Sequence, residues 1–112
     1  MKTMTIIAAA LATLIAEPTM ADSFQFPLDA RRGNWQVDIA WQVIMHPDCA
    51  GRWSIIHPAG FRFDRASNTG GNLRANPGRG SYDVALKTED CRSKDSSYVE
   101  PGRTTWHKVV VY

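Results

Sequence analysis

The stretch Asn34–Met45 constrains the fold more than any other part of the chain, because a large apolar side chain recurs at every second position along it. The first set comprises Trp35, Val37, Ile39, Trp41, Val43 and Met45, and the intervening set comprises Gln36, Asp38, Ala40, Gln42 and Ile44. A period of two predicts a half-buried β-strand, and no helical phase fits this pattern. We expect the strand to end at Pro47, because proline cannot donate to a β-ladder.

Five further segments carry shorter strand patterns. They are Arg52–His57, Phe61–Arg65, Ser81–Thr88, Tyr98-Val99 and Thr104–Tyr112. In the fourth predicted strand along the chain, Tyr82, Val84 and Leu86 are expected to point inward. Gly60 separates two of the segments and predicts a hairpin between them. Residues Ala66–Gly80 are rich in Gly, Asn and Pro and show no periodicity, so we predict a long loop there.

This pattern predicts an all-β fold, a small single-disulfide sandwich or barrel of about five or six antiparallel strands. No amphipathic helix is visible outside the N-terminal segment. The four tryptophans are expected in the core, because aromatic side chains bury large areas in small domains: Trp35, Trp41, Trp53 and Trp106. A tryptophan found exposed would instead indicate a binding surface.

Residues 1–21 have the composition of a secretory signal peptide. Lys2 supplies the positive charge, Ile6–Ala16 forms a short apolar core, and Ala21 is a small residue suited to signal peptidase. The apolar core is too short to span a bilayer, so no membrane anchor is expected. We predict secretion to the extracellular space, with the bacterial periplasm as the alternative.

Residues 22–32 allow two interpretations. Arg31-Arg32 before the flexible Gly33 is the dibasic pair that a kexin-type protease cuts, which would make 22–32 a pro-segment and 33–112 the mature domain. Alternatively, Phe24 and Phe26 belong to an alternating edge strand, and the arginine pair lies in a solvated turn.

Cys49 and Cys91 are the two cysteines of the chain. In a secreted protein an even count predicts a disulfide, and two cysteines allow one connectivity. Without clustered histidines they do not form a zinc site, so no metal is predicted.

The charge balance is mild, with 13 Lys+Arg against 11 Asp+Glu and a net charge of +2. This charge does not require nucleic acid as a partner, although it leaves that class open. Arginine suits interfaces through its planar fork, and the candidate binding residues are Arg62, Arg65, Arg74 and Arg79. The alternative is a set of solvated loop charges.

Catalytic chemistry has weak support in the sequence. A ribonuclease-like site would need a base, an acid and a cation, which His57 or His107, Glu100 and Arg103 would have to supply together. Two of the three histidines, His46 among them, directly precede proline and fit strand ends. Known nucleophile, metalloprotease and phosphate-loop motifs are absent from the sequence. We therefore predict no enzymatic activity and no cofactor, with a ribonuclease-like protein as the enzymatic alternative.

The whole combination resembles the small secreted effectors of fungi, above all the MAX-type and ToxA-like β-sandwich families. This resemblance rests on the signal segment, the Leu28–Arg32 stretch, the spacing of the two cysteines, and the stretch Tyr82–Cys91, in which a predicted strand is followed by a cysteine. The resemblance implies a non-enzymatic virulence effector that binds a host protein, outside or inside a host cell. Its contact elements would be the loop around Arg74–Arg79 and an exposed edge strand. A nucleic-acid-binding protein and a periplasmic binding or inhibitor module remain alternatives.

Overall fold

The computed structural model describes residues 23–29 and 35–112. The predicted signal peptide with Ala21 and the dibasic pair Arg31-Arg32 lie outside these residues, so both processing sites stay predictions. Within the described ranges the chain forms strands β1 (Phe24–Phe26), β2 (Val37–Gln42), β3 (Trp53–Ile56), β4 (Arg62–Ser67), β5 (Gly70–Ala75), β6 (Gly80–Thr88), β7 (Cys91–Arg92), β8 (Val99–Glu100) and β9 (Arg103–Val111), and a short 3₁₀ helix spans Pro47–Cys49.

The strands form two main sheets that enclose the core, so the predicted all-β class is confirmed. One sheet has the order β1-β9-β6-β3, the other has the order β2-β5-β4, and β7 and β8 form a small separate ladder. The strands outnumber the predicted five or six because β1, β5 and β7 were not among the six predicted segments. One pair, β1 with β9, is parallel rather than antiparallel.

The alternation that begins at Trp35 correctly identified the buried face of β2. Val37, Ile39 and Trp41 are buried, and so is Val43 just beyond the strand. The strand itself is shorter than predicted, because hydrogen-bonded pairing with β5 covers only Val37 to Gln42. The outer members of the pattern, Trp35 among them, are half-buried.

The predicted hairpin at Gly60 is wrong. Strand β3 pairs with β6, whereas β4 pairs with β5, so the chain crosses from one sheet to the other at this point. Gly60 has a φ of +88°, which fits a turn, but this turn joins strands of two different sheets instead of two strands that pair with each other. Local turn chemistry therefore marked a change of direction without determining the pairing partner.

The predicted loop Ala66–Gly80 is also wrong, because it contains β5, the central strand of the three-stranded sheet. Its residues alternate between half-buried and buried, with Leu73 and Ala75 facing the core. A Cβ added at Gly71 would lie 2.3 Å from the backbone oxygen of Asp64. Glycine is required at position 71 so that β4 and β5 can approach each other. Because glycine is uncommon inside strands and has no side chain to continue an alternating pattern, it also prevented the prediction of β5 from the sequence.

Strand β1 occupies an edge of the four-stranded sheet, as the second interpretation of residues 22–32 predicts. Phe24 and Phe26 are 0% and 1% exposed, and they lie opposite Val109 and Val111 of β9. The segment therefore contributes two complete aromatic side chains to the core.

The tryptophans divide between core and surface. Trp41 and Trp53 are buried, as predicted, whereas Trp106 is 49% exposed. The prediction is wrong for Trp106 because β9 turns His107 toward the core, and neighbouring residues of a strand face opposite sides.

Among residues 23–29 and 35–112, no helix has the length and apolar character needed to cross a membrane.

Candidate functional site

Three loops meet at one end of the sandwich, where β2, β4 and β6 end and β3, β5 and β9 begin. They comprise residues 43–52, 68–69 and 89–102, and we refer to them together as the three-loop surface. The turn 68–69 contacts the first loop directly, because the Val43 N–H donates to the Thr69 oxygen at 2.7 Å. The indole N–H of Trp53 donates to the Asn68 oxygen at 2.8 Å, which anchors the same turn on the core.

The first loop gains its shape from the Pro47–Cys49 helix and its cap. Proline suits the first position of a helix, since its missing N–H would have no partner there. The His46 Nδ1 atom accepts the Asp48 N–H at 3.1 Å, which is the role of a capping side chain. Gly51, with a φ of +85°, packs so closely on Asn68 that a Cβ there would lie 2.9 Å from Oδ1.

The first and third loops are tied by a covalent bond and a hydrogen bond. Cys49 and Cys91 form the predicted disulfide, with a Cα–Cα distance of 5.9 Å. Beside it, the Asp48 carboxylate accepts the backbone N–H of Lys94 at 2.8 Å. Because these links join segments more than 40 residues apart in the chain, the two loops behave as one structural unit.

Tyr98 provides the third connection between these loops. Its ring stacks on His46, with centroids 5.5 Å apart and planes inclined by 24°. Its hydroxyl donates to the carboxylate of Glu100, whose side chain is buried. Burial, together with that hydrogen bond and the charge of Glu100, raises the pKa of Tyr98 to about 12.

The tip of the third loop is shaped by the exposed Asp95 carboxylate. The Asp95 Oδ1 atom accepts the Ser97 hydroxyl at 2.6 Å, the Ser97 N–H at 3.0 Å and the Ser93 hydroxyl at 2.8 Å. These donors, led by the Ser97 hydroxyl, hold the pKa of Asp95 well below its usual range. The loop tip is thus stabilised by local hydrogen bonds and carries a permanent negative charge at neutral pH.

Two large apolar side chains are exposed on this braced surface. Ile44 of the first loop is 46% exposed, and Val99 of the third loop is 50% exposed. The sequence analysis did not select either residue. Ile44 nevertheless carried a signal, since it is the one aliphatic β-branched residue at a polar position of the Trp35–Met45 alternation. Val99 carried none, because a two-residue strand has no readable period.

The four predicted binding arginines do not form one cluster. Arg62 and Arg74 are opposite each other on β4 and β5, where they pair with Asp64 at 2.9 Å and Asp38 at 3.5 Å. Arg65 packs on the Trp53 ring, 4.0 Å from its centroid, and donates to the Trp53 backbone oxygen.

Arg79 lies apart from the other three arginines, between β5 and β6. The loop that carries it is at the end of the sandwich opposite the three-loop surface. Binding through the arginines remains a prediction; Arg65 lies next to the three-loop surface through its contact with Trp53, whereas Arg79 lies at the opposite end.

The groups of the ribonuclease-like alternative are not brought together. His107 faces the core, where its ring lies 5.5 Å from Phe24 and 5.4 Å from Trp41. His57 directly follows β3 and is level with Val84 of β6. Arg103 pairs with Thr88 of the same strand, four residues further along, so His57 and Arg103 are separated by about 13 Å along the sheet. In the part of the chain that the structure describes, no group of three or more His, Cys, Asp or Glu side chains could hold a metal ion.

Comparison with known proteins identifies a similar fold. No protein-family model and no curated protein matches this chain. Among solved structures, the chain is similar to a cysteine protease inhibitor from Entamoeba histolytica. The alignment covers 98% of this chain and 95% of the other, with 13% sequence identity and a TM-score of 0.50. At this identity the likeness establishes the architecture alone.

Proposed function

We propose that this protein acts without catalysis by binding a partner protein through the three-loop surface, and that the partner is a cysteine protease. The observation that carries the proposal is the bracing of the three loops, two of which expose an apolar side chain, Ile44 in the first and Val99 in the third. The fold shared with a cysteine protease inhibitor supports the choice of partner.

The bracing matters for affinity because association is opposed by the ordering of loops. A disulfide, a cross-loop hydrogen bond and a ring stack already restrict this surface before any partner arrives. Loops ordered in advance lose less entropy on binding, so more of the contact free energy appears as affinity. The size of the three loops also matches the roughly 20–30 residues that a standard interface uses on each side.

Secretion and action on a host protein form the finer part of the proposal. The signal sequence over 1–21 motivates secretion, and the resemblance to fungal effectors motivates a host target. Intact mass of the secreted protein tests this part. A chain that begins at Gly33 and lacks the two thiol hydrogens would support it. A start at Asp22 would support export but favour the periplasmic alternative, and a chain that retains Met1 would overturn secretion.

The binding experiment measures affinity for a panel of cysteine proteases by calorimetry. Each protease is used with its active-site cysteine alkylated, so that no reductant is needed and the disulfide stays intact. We expect the wild-type protein to bind at least one member. The double variant Ile44→Asp, Val99→Asp should lose about 100-fold or more, because two charges would be buried in the interface.

The matched control is the double variant Arg74→Ala, Arg79→Ala, which changes the opposite end of the sandwich. It should keep wild-type affinity if the three-loop surface is the contact. Loss of binding in the arginine variant, with retention in the aspartate variant, would instead establish the arginine prediction. Failure to bind any protease of the panel would overturn the choice of partner.

A further inference from the structure

A second exposed apolar feature lies on the outer face of the four-stranded sheet, away from the three-loop surface. Ile56, Ala85 and Trp106 are opposite one another across β3, β6 and β9. Ile56 and Trp106 are 37% and 49% exposed, whereas Ala85 between them is fully buried. Because Leu86 and His107 face the core, this row faces outward, with Ala85 between the two larger side chains.

Trp106 thus lies on the outer face of the sheet with about half of its surface left in solvent. A buried tryptophan stabilises a small domain through the large apolar area that it removes from water, and this residue forgoes much of that gain. The other side of the same strand places a histidine in the core. Exposed tryptophan supported by rigid backbone is a feature of binding surfaces.

An open groove of about 410 Å³ runs beside this indole. Its lining combines the apolar Trp106 and Ile56 with the polar side chains of Ser81, Asp83 and His57. Small-ligand sites combine an apolar or aromatic lining with a small number of polar groups, and this groove has both. The lining fits a small ligand that has one apolar face and polar groups around its edge.

Charge narrows the ligand class further. Asp83 is the acidic residue of the groove, and its carboxylate pairs with Lys108 of β9 at 2.6 Å. The pair cancels the charge at this point but leaves lone pairs of the carboxylate able to accept hydrogen bonds. A neutral ligand rich in hydroxyl donors is favoured over an ionic one.

We propose that this groove is a binding site for a neutral oligosaccharide. A pyranose ring has a face of C–H bonds that packs on the indole of Trp106, and hydroxyl groups at its edge that hydrogen-bond to Asp83 and Ser81. The site is separate from the three-loop surface, so both can be occupied together.

The test titrates the intact, oxidised protein with cellohexaose, chitohexaose and β-1,4-mannohexaose, each to about 10 mM, which saturates a site of millimolar affinity. Two-dimensional NMR follows the indole N–H signals and the backbone of β3, β6 and β9. We expect at least one sugar to cause saturable shifts centred on Trp106. Trp106→Ala should weaken this binding about tenfold or more, and Asp83→Ala, which leaves the indole in place, should also weaken it.

The double variant Ile44→Asp, Val99→Asp serves as the control and should bind the sugar as the wild type does, which separates this site from the proposed protein contact. Absence of saturable shifts with all three sugars would overturn the proposal. It would equally be overturned if sedimentation showed a dimer that Trp106→Ala dissociates, because a second copy of the chain would then occupy the face.

Discussion

The carboxylate of Asp48 accepts the backbone N–H of Lys94 at 2.8 Å, across 46 positions of the chain. The donor and acceptor lie in different loops, and the Cys49–Cys91 disulfide joins the same loops next to them. A charged acceptor makes this a stronger bond than one between neutral groups. The end of the sandwich that we propose as the contact surface is thus held by covalent and polar links together.

Removal of the disulfide should lower the free energy of unfolding by about 2–4 kcal/mol, because the bond restricts the unfolded chain. The variant Cys49→Ala, Cys91→Ala removes both thiols, so that no free cysteine can react. Urea denaturation measures the change. Wild-type protein treated with reductant should show a similar loss, and equal stability of the oxidised protein and the variant would contradict the prediction.

Gly71→Ala should destabilise the fold by about 2–3 kcal/mol, near the upper end of the cost of overpacking. The new methyl group would lie 2.3 Å from the Asp64 backbone oxygen and 2.7 Å from the Phe63 ring, and the paired strand cannot move away freely. Gly78→Ala is the matched control, since nothing lies within 4 Å of its added Cβ. It should change stability by less than about 0.5 kcal/mol in the same thermal or urea unfolding experiment.

Tyr98 should ionise later than an ordinary tyrosine in alkaline titration. Its pKa is raised from 10.0 to about 12, so one of the three tyrosines of the chain should show its tyrosinate absorbance only near pH 12. The folded state then holds a proton that the unfolded state has lost, so stability should fall as the pH rises from 10 to 12. The variant Tyr98→Phe should lack the late step; persistence of that step would assign it elsewhere.

Phe24→Ala should lower the free energy of unfolding by about 3–5 kcal/mol, because the ring is fully buried. Gln25→Ala, one position along the same strand and exposed, should change it by less than about 0.5 kcal/mol. A chain that begins at Gly33 lacks both phenylalanines of β1 and should be less stable than one that begins at Asp22. Equal stability of those two chains would show that β1 is dispensable, as a pro-segment would be.

The tertiary structure corrected the sequence analysis where pairing was decided by distant segments. Strand β5 carries Gly70 and Gly71 and has no readable pattern on its own, but pairs with β2 and β4 on both sides. Gly60 indicated a turn, yet the choice of β6 as the partner of β3 depends on how the two sheets pack. Such pairings are non-local, and their energies do not appear in any short window of sequence.

Trp106 shows why the face of a strand can be ambiguous. Val109 and Val111 place one face of β9 in the core together with His107, while Val110 lies on the other face with the tryptophan. Because both faces of β9 carry apolar residues, the sequence does not show which face is buried. In the structure the face that carries His107 is the buried one, and its ring packs against Phe24 and Trp41.

The sequence by itself determined the all-β class, the buried face of β2 and the pairing of Cys49 with Cys91. Alternation sets which side of a strand is apolar, and two cysteines allow one bond. Only the tertiary structure decided that the loops carrying Ile44 and Val99 meet at one end of the sandwich, and that Trp106 faces solvent. These relations arise because residues far apart in the chain become neighbours when two sheets pack together, and local side-chain chemistry does not record which ones will meet.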